Sequence, residues 1–161
     1  METPENHRSA PDNPGPSKRE ASSFPLSGLT NLIIGGMFEV YNILGSGFLE
    51  SVYANALTVE LRLRGLQVER HVTFEIFYRG MPVGRYVADL IVESQVVVET
   101  KVARAIEAAH RAQLLNYLRA SGLDVGLVVN FGTSVQFKRV VCTSRRSTVT
   151  AVRIVSESEK A

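Results

Sequence analysis

The segment A-D-L-I-V-E-S-Q-V-V-V-E-T-K-V, Ala88 to Val102, constrains the fold more than any other stretch. Leu90-Ile91-Val92 and Val96-Val97-Val98 have the unbroken apolar character of central strands. Only Glu93-Ser94-Gln95 separates them, so they predict a tight antiparallel hairpin. A plain core excludes charge, yet this hairpin carries Asp89, Glu99 and Lys101.

A hairpin symmetric about Ser94 sets Asp89 opposite Glu99 and Val87 opposite Lys101, with facing Cβ atoms about 4.5 to 5.5 Å apart. Glu99 and Lys101, two apart on one strand, share a face. All three charges then converge, and a register slip of one residue breaks the arrangement. Opposed carboxylates repel, and each costs several kcal/mol, as an order of magnitude, to desolvate without a partner. A divalent cation removes the conflict, and hard oxygen ligands suit magnesium or manganese. Such an ion activates a bound water and polarises a phosphoryl oxygen, and Lys101 is placed to orient the water or neutralise charge at phosphorus. An isolated acid–acid–lysine pattern is more often an exposed ion pair. Its setting in two apolar strands favours a site.

Around the hairpin, 161 residues with 45% apolar content make one domain with a single ordinary core. Residues 1–24 hold four of the six prolines among Ser, Asn and charged residues, and are expected to be a disordered leader. Residues 25–142 form the domain and 143–161 a polar tail, in which Val149 to Val155 is able to add an edge strand. A helix is predicted from Gly28, with Leu29, Leu32, Ile33, Phe38, Val40, Tyr41 and Leu44 as its apolar surface and Gly45-Ser46-Gly47 as its stop. Gly35-Gly36 argues against a straight one. A second helix over Leu49 to Arg64 presents the stripe Val52, Ala56, Val59 and Leu63. Strands over Gln67 to Tyr78, Val83 to Val92 and Val96 to Val102 precede a helix from Ala105 to Ala120. Strands over Val125 to Phe131 and Val135 to Val141 follow, making a mixed sheet flanked by helices. The net charge of +2 does not by itself announce a polyanion partner. One cysteine, Cys142, excludes a disulfide framework within the chain and points to a reducing, cytoplasmic compartment. No apolar run approaches a membrane span.

These residues resemble the PD-(D/E)XK nuclease superfamily and, more narrowly, its GxxExxY protein family. The narrow signature stands as Gly47-Phe48-Leu49-Glu50-Ser51-Val52-Tyr53. It is followed by A-L-T-V-E-L-R-L-R-G-L, F-Y-R-G-M-P-V-G-R-Y-V-A-D-L, V-V-V-E-T-K, A-Q-L-L-N-Y-L and G-L-V-V-N-F-G, so the likeness runs from about Leu29 to Arg139. It implies a restriction-endonuclease-like αβββαβ core with an extra N-terminal helix. By position, Asp89 and Glu99 resemble the metal-binding acids and Lys101 the catalytic lysine. Glu50 resembles the additional helix acid of the metal shell, and the Thr100 carbonyl a further ligand, although a leucine is commoner there. Gln113 and Tyr117 resemble the Q-x-x-x-Y pair beside the site in exonuclease-like branches.

The resemblance implies a metal-dependent nuclease that hydrolyses phosphodiester bonds through a metal-activated water, with Mg2+ or Mn2+ as cofactor. Nucleic acid is the partner, DNA before RNA, and no membrane is involved. A second copy or a protein partner would supply contacts that the weak net charge does not. The alternative is a catalytically silent nuclease-fold module that binds nucleic acid or a protein. Taken alone, Glu50 reads as an exposed first-turn acid favoured by the helix dipole, and beside the signature as metal-site support; Tyr117 is equally a core aromatic with its hydroxyl satisfied. His110 is expected to be a polar helix residue, with a phosphate contact as the lesser alternative, and His71 to be structural. No G-x-x-x-x-G-K-[ST] loop is present, which excludes that route to ATP hydrolysis.

Overall fold

A computed structural model describes residues 26–142 and 150–154. The expected leader and the ends of the polar tail lie outside the described residues. The order is α1 (Ser27–Leu44), α2 (Glu50–Leu63), β1 (Val68–Tyr78), β2 (Met81–Val92), β3 (Val96–Lys101), α3 (Ala108–Ser121), β4 (Val125–Phe131), β5 (Val135–Val141) and β6 (Thr150–Ile154). The strands form one mixed sheet in the order β5-β4-β3-β2-β1-β6. Among the described strands only β3 and β4 run parallel, joined by α3. Antiparallel pairing joins the other neighbours.

Two cores cover the two faces. Ile33, Met37 and Val40 of α1 and Tyr53, Leu57 and Leu61 of α2 bury one face through Leu90, Val98, Leu127 and Phe131. Leu114, Tyr117 and Leu118 of α3 bury the other through Ile91, Val97 and Val128. Because β3 and β4 are covered on both sides, they are buried almost throughout, which is what their continuous valine runs encode.

Helix faces depart from the sequence reading. Of the stripe Val52, Ala56, Val59 and Leu63, Ala56 packs half-buried against the core and Val52 is half-buried, whereas Val59 is 58% and Leu63 79% exposed. Tyr53, Leu57 and Leu61 are the residues that pack. On α1, Leu32 and Phe38 are exposed, whereas Met37 is fully buried. Both helices carry apolar residues around more than one side, and periodicity cannot say which side meets the sheet. Gly35-Gly36 does not break α1. Gly36 instead admits α2, because a Cβ there would lie 2.9 Å from Leu61 Cδ2. The third helix starts at Ala108, three residues later than expected. Glu107 is its N-cap, and His110 Nδ1 accepts the Glu107 main-chain N–H at 3.1 Å in a reciprocal capping box. That bond gives His110 a structural use.

The hairpin has the expected register, with Leu90 facing Val98, Ile91 facing Val97 and Val92 facing Val96. Glu93 and Ser94 turn it at φ 53° and 54°, and Gln95 N–H donates to Val92 O at 3.0 Å. Pairing ends at Leu90 and Val98, however, so no ladder joins Asp89 to Glu99 or Val87 to Lys101. On its other side β2 pairs with β1, and that ladder skips His71, which stands opposite Asp89 at φ 50°. Both strands change face there. Val68 and Leu90 belong to the α1–α2 core, and Val72 and Ala88 to the α3 core, although regular alternation would keep Val68 with Val72 and Leu90 with Ala88. Asp89 therefore sits where the sheet opens on both flanks.

The loop after β3 is fixed by β4. A Cβ on Gly132 would lie 1.9 Å from Ala103 O, so only glycine lets these backbones meet. Gly132→Ala is expected to cost about 2 kcal/mol or more, because the obstacle is main chain. Gly28→Ala, where a Cβ meets nothing within 4 Å, is expected to raise stability by up to about 1 kcal/mol. Thermal melts of the two variants should move in opposite directions.

Candidate active site

Where the ladder stops, side chains replace it. Asp89 Oδ2 accepts the Thr100 N–H at 2.9 Å and the Thr100 hydroxyl at 2.8 Å. The carboxylate thus takes the place of the carbonyl that β2 no longer offers to β3. Both bonds fall on Oδ2, and Oδ1 takes neither.

Glu99 is only 1% exposed, although its strand neighbours make it part of an apolar layer. Its Oε2 accepts from Lys101 Nζ at 3.2 Å. Its Oε1 is buried with no hydrogen-bond partner among the described residues. Burial, and then the nearby charge of Asp89, push the Glu99 carboxyl up from 4.5 to about 7, against the pull of Lys101. A buried acceptor left unpaired costs roughly 1 to 3 kcal/mol, more when charged, so this oxygen asks for a ligand.

Against it lies Tyr117 of α3, whose hydroxyl is pushed up to about 12 by burial and by the Glu99 charge. Gln113 Nε2 donates to that hydroxyl at 3.2 Å, and Tyr86 meets the ring edge-on at 5.5 Å. Gln113 and Tyr117 therefore stand together beside the acids, with the tyrosine buried.

Glu50 is exposed at the first residue of α2, and its Oε2 accepts the Val102 N–H at 3.3 Å. It reaches the end of β3 without joining the two strand acids. Among the described residues no three His, Cys, Asp or Glu side chains gather as a metal-holding group. The assembled set is Asp89, Glu99 and Lys101, with Thr100 between the last two. The donor chemistry still fits a hard divalent cation, because two carboxylates meet where one oxygen is unsatisfied.

Several supporting contacts have no counterpart in the sequence reading. Asn130, fully buried on β4, accepts the Ala103 N–H at 2.8 Å and donates to Ala103 O at 2.9 Å. The Tyr53 hydroxyl donates to Gly45 O at 2.6 Å, and its ring stacks on Phe131 at 4.6 Å. The Tyr41 hydroxyl donates to Thr133 O at 3.0 Å. One polar residue inside the apolar run V-G-L-V-V-N-F was the available signal for Asn130.

Burial of Glu99 gives a pH dependence of definite sign. The folded protein holds this proton up to about pH 7, whereas the unfolded chain releases it near 4.5. Between those values the folded state binds more protons, so this group lowers stability as pH rises through the window. Below the unfolded value the effect vanishes, and above the folded value it is complete at a few kcal/mol as an order of magnitude. Glu99→Gln removes the penalty. In chelator, its melting temperature should exceed that of the wild type at pH 8, with the gap closing toward pH 4.5.

Against known proteins, residues 27–140 match the family model of the PD-(D/E)XK nuclease superfamily. No curated protein matches the chain. A solved structure titled "Crystal structure of SSO0001" is 20% identical, with a TM-score of 0.48. The match covers 72% of this chain but only 58% of that one. The family match takes in both cores, all three helices and every residue of the Asp89–Glu99–Lys101 set. On that span, with its restriction-endonuclease-like mixed sheet flanked by helices, the chain belongs to the PD-(D/E)XK nuclease superfamily.

Proposed function

We propose that the protein is a metal-dependent nuclease of the GxxExxY type, hydrolysing phosphodiester bonds of nucleic acid, DNA in preference to RNA. The single observation that carries this reading is the buried Glu99 Oε1, without a hydrogen-bond partner among the described residues, beside Asp89 and Lys101. A structural ion pair has no use for a desolvated carboxylate oxygen aimed at nothing.

Asp89 and Glu99 would hold the Mg2+ or Mn2+, with the Thr100 carbonyl beside them and Glu50 as outer support. When bound, the cation supplies water activation and polarisation of the phosphoryl group. The residues of the chain do the rest. Asp89 fixes the Thr100 backbone and so the direction of the following lysine. The Lys101 ammonium, drawn toward Glu99 at 3.2 Å, orients the attacking water and offsets charge gathering at phosphorus. Glu50, through the Val102 N–H, keeps α2 against the end of β3. Gln113 and Tyr117 close the α3 side, the tyrosine hydroxyl remaining protonated and able to donate. No helix among the described residues is long and apolar enough to cross a membrane. With one free cysteine, this is consistent with work in a reducing compartment such as the cytoplasm.

A second reading, a silent module that keeps the fold, draws on the absence of a three-residue metal group among the described residues. Calorimetry with manganese separates the two. The nuclease reading expects one saturable site that weakens at least about tenfold in Asp89→Asn. Plasmid and single-stranded DNA in Mg2+ or Mn2+ should be cut by the wild type and about 100-fold or more slowly by Lys101→Ala. Equal cleavage by the two proteins, or no manganese binding, sinks the catalytic assignment.

A further inference from the structure

Immediately past Lys101 a crevice of about 320 Å³ opens between the ends of β3 and β4. It lies at the carboxyl ends of the two parallel strands, where open α/β sheets place their ligands. Val102, Ala103, Phe131 and Gly132 give it apolar walls, and Ser46 and Thr133 add a few polar atoms. Arg104, exposed and without an ion-pair partner among the described residues, stands at the rim.

Each of the three loops that form this crevice is tied down by a different aromatic or amide side chain. The buried Tyr53 hydroxyl donates to Gly45 O and accepts the Phe48 N–H at 3.4 Å, holding the loop before α2. Asn130 takes both polar groups of Ala103, holding the loop after β3. Tyr41 donates to Thr133 O, holding the loop after β4. Glu50 adds a fourth tie at Val102. Surface loops are ordinarily left mobile. Three separately fixed loops around one apolar hollow make a preorganised binding site, since ordering lost in advance is not lost on binding.

We propose that this crevice takes one unstacked nucleobase next to the phosphodiester positioned at Asp89, Glu99 and Lys101, with Arg104 meeting the adjoining phosphate. The inference rests on the nuclease reading and adds the substrate class, single-stranded or frayed nucleic acid. An apolar hollow with a few hydroxyls suits the flat face and polar edge of a base. A paired base reaches it only after unstacking and unpairing, whereas an unpaired base avoids most of that cost. The net charge of +2 points the same way, because phosphate attraction alone is a weak source of affinity for this chain.

The test is binding in chelator, where no cleavage occurs. Fluorescence anisotropy of a labelled thymidine dodecamer and of a labelled hairpin duplex gives a ratio of affinities for the full chain. Ser46→Trp fills the hollow from an exposed loop position, and its melting temperature checks that the fold is kept. The single-strand to duplex ratio is expected to fall about tenfold in Ser46→Trp and several-fold in Arg104→Ala. A dodecamer with one abasic position, moved along the strand, should lose affinity at a defined place for the wild type and not for Ser46→Trp. An unchanged ratio, equal losses on both nucleic acids, or no binding of the dodecamer by the wild type overturns the proposal. Cleavage in Mn2+, measured separately, reports on the nuclease reading. A protein that grips the base and cuts nothing therefore fails that reading alone.

Discussion

The arrangement depends on a carboxylate kept dry. Glu99 follows three buried valines on β3, and it is covered by α3 on one side and flanked by β4 on the other. Coulomb attraction to one lysine does not repay removal from water. The rest of the sheet supplies the burial, and the local geometry concentrates its cost on a single oxygen. Interruptions in both ladders beside Asp89 are part of that geometry. If β2 had stayed paired through Asp89, its carboxylate would have been locked into regular alternation rather than turned toward Thr100.

That dependence explains why so much of the centre was legible. The turn is short, the flanking strands have equal apolar runs, and a hairpin symmetric about Ser94 follows almost by necessity. The approach of Asp89 to Glu99 and the shared face of Glu99 and Lys101 follow from the same register. The break at His71 could not be seen, because a left-handed histidine leaves no trace in an alternating pattern. The ladder was accordingly expected to run further than it does. Glu50 and Tyr53, three apart on α2, stand in one sequence signature. In the folded protein they divide the work, one toward the end of β3 and the other toward the loop that precedes the helix.

Helix faces were the least readable part. A helix with apolar residues at 52, 56, 59 and 63 as well as 53, 57 and 61 offers two stripes, and the choice between them rests on tertiary neighbours such as Gly36 on α1. Gly36 needs a close neighbour and Leu61 provides it. Asn130 and Gly132 show the same limit. Each matters because of what β4 meets across the sheet end, and nothing local to the chain reveals that Ala103 lies there.

β6 carries a consequence of its own. It pairs with β1 from Thr73 to Phe77, and without it β1 would present a row of unsatisfied amides and carbonyls to solvent. Unguarded rows of that kind recruit strands from other molecules. The last described segment thus acts as a selvedge: trimming the chain after β5 would leave the strands that carry Asp89, Glu99 and Lys101 intact while making the protein prone to self-association.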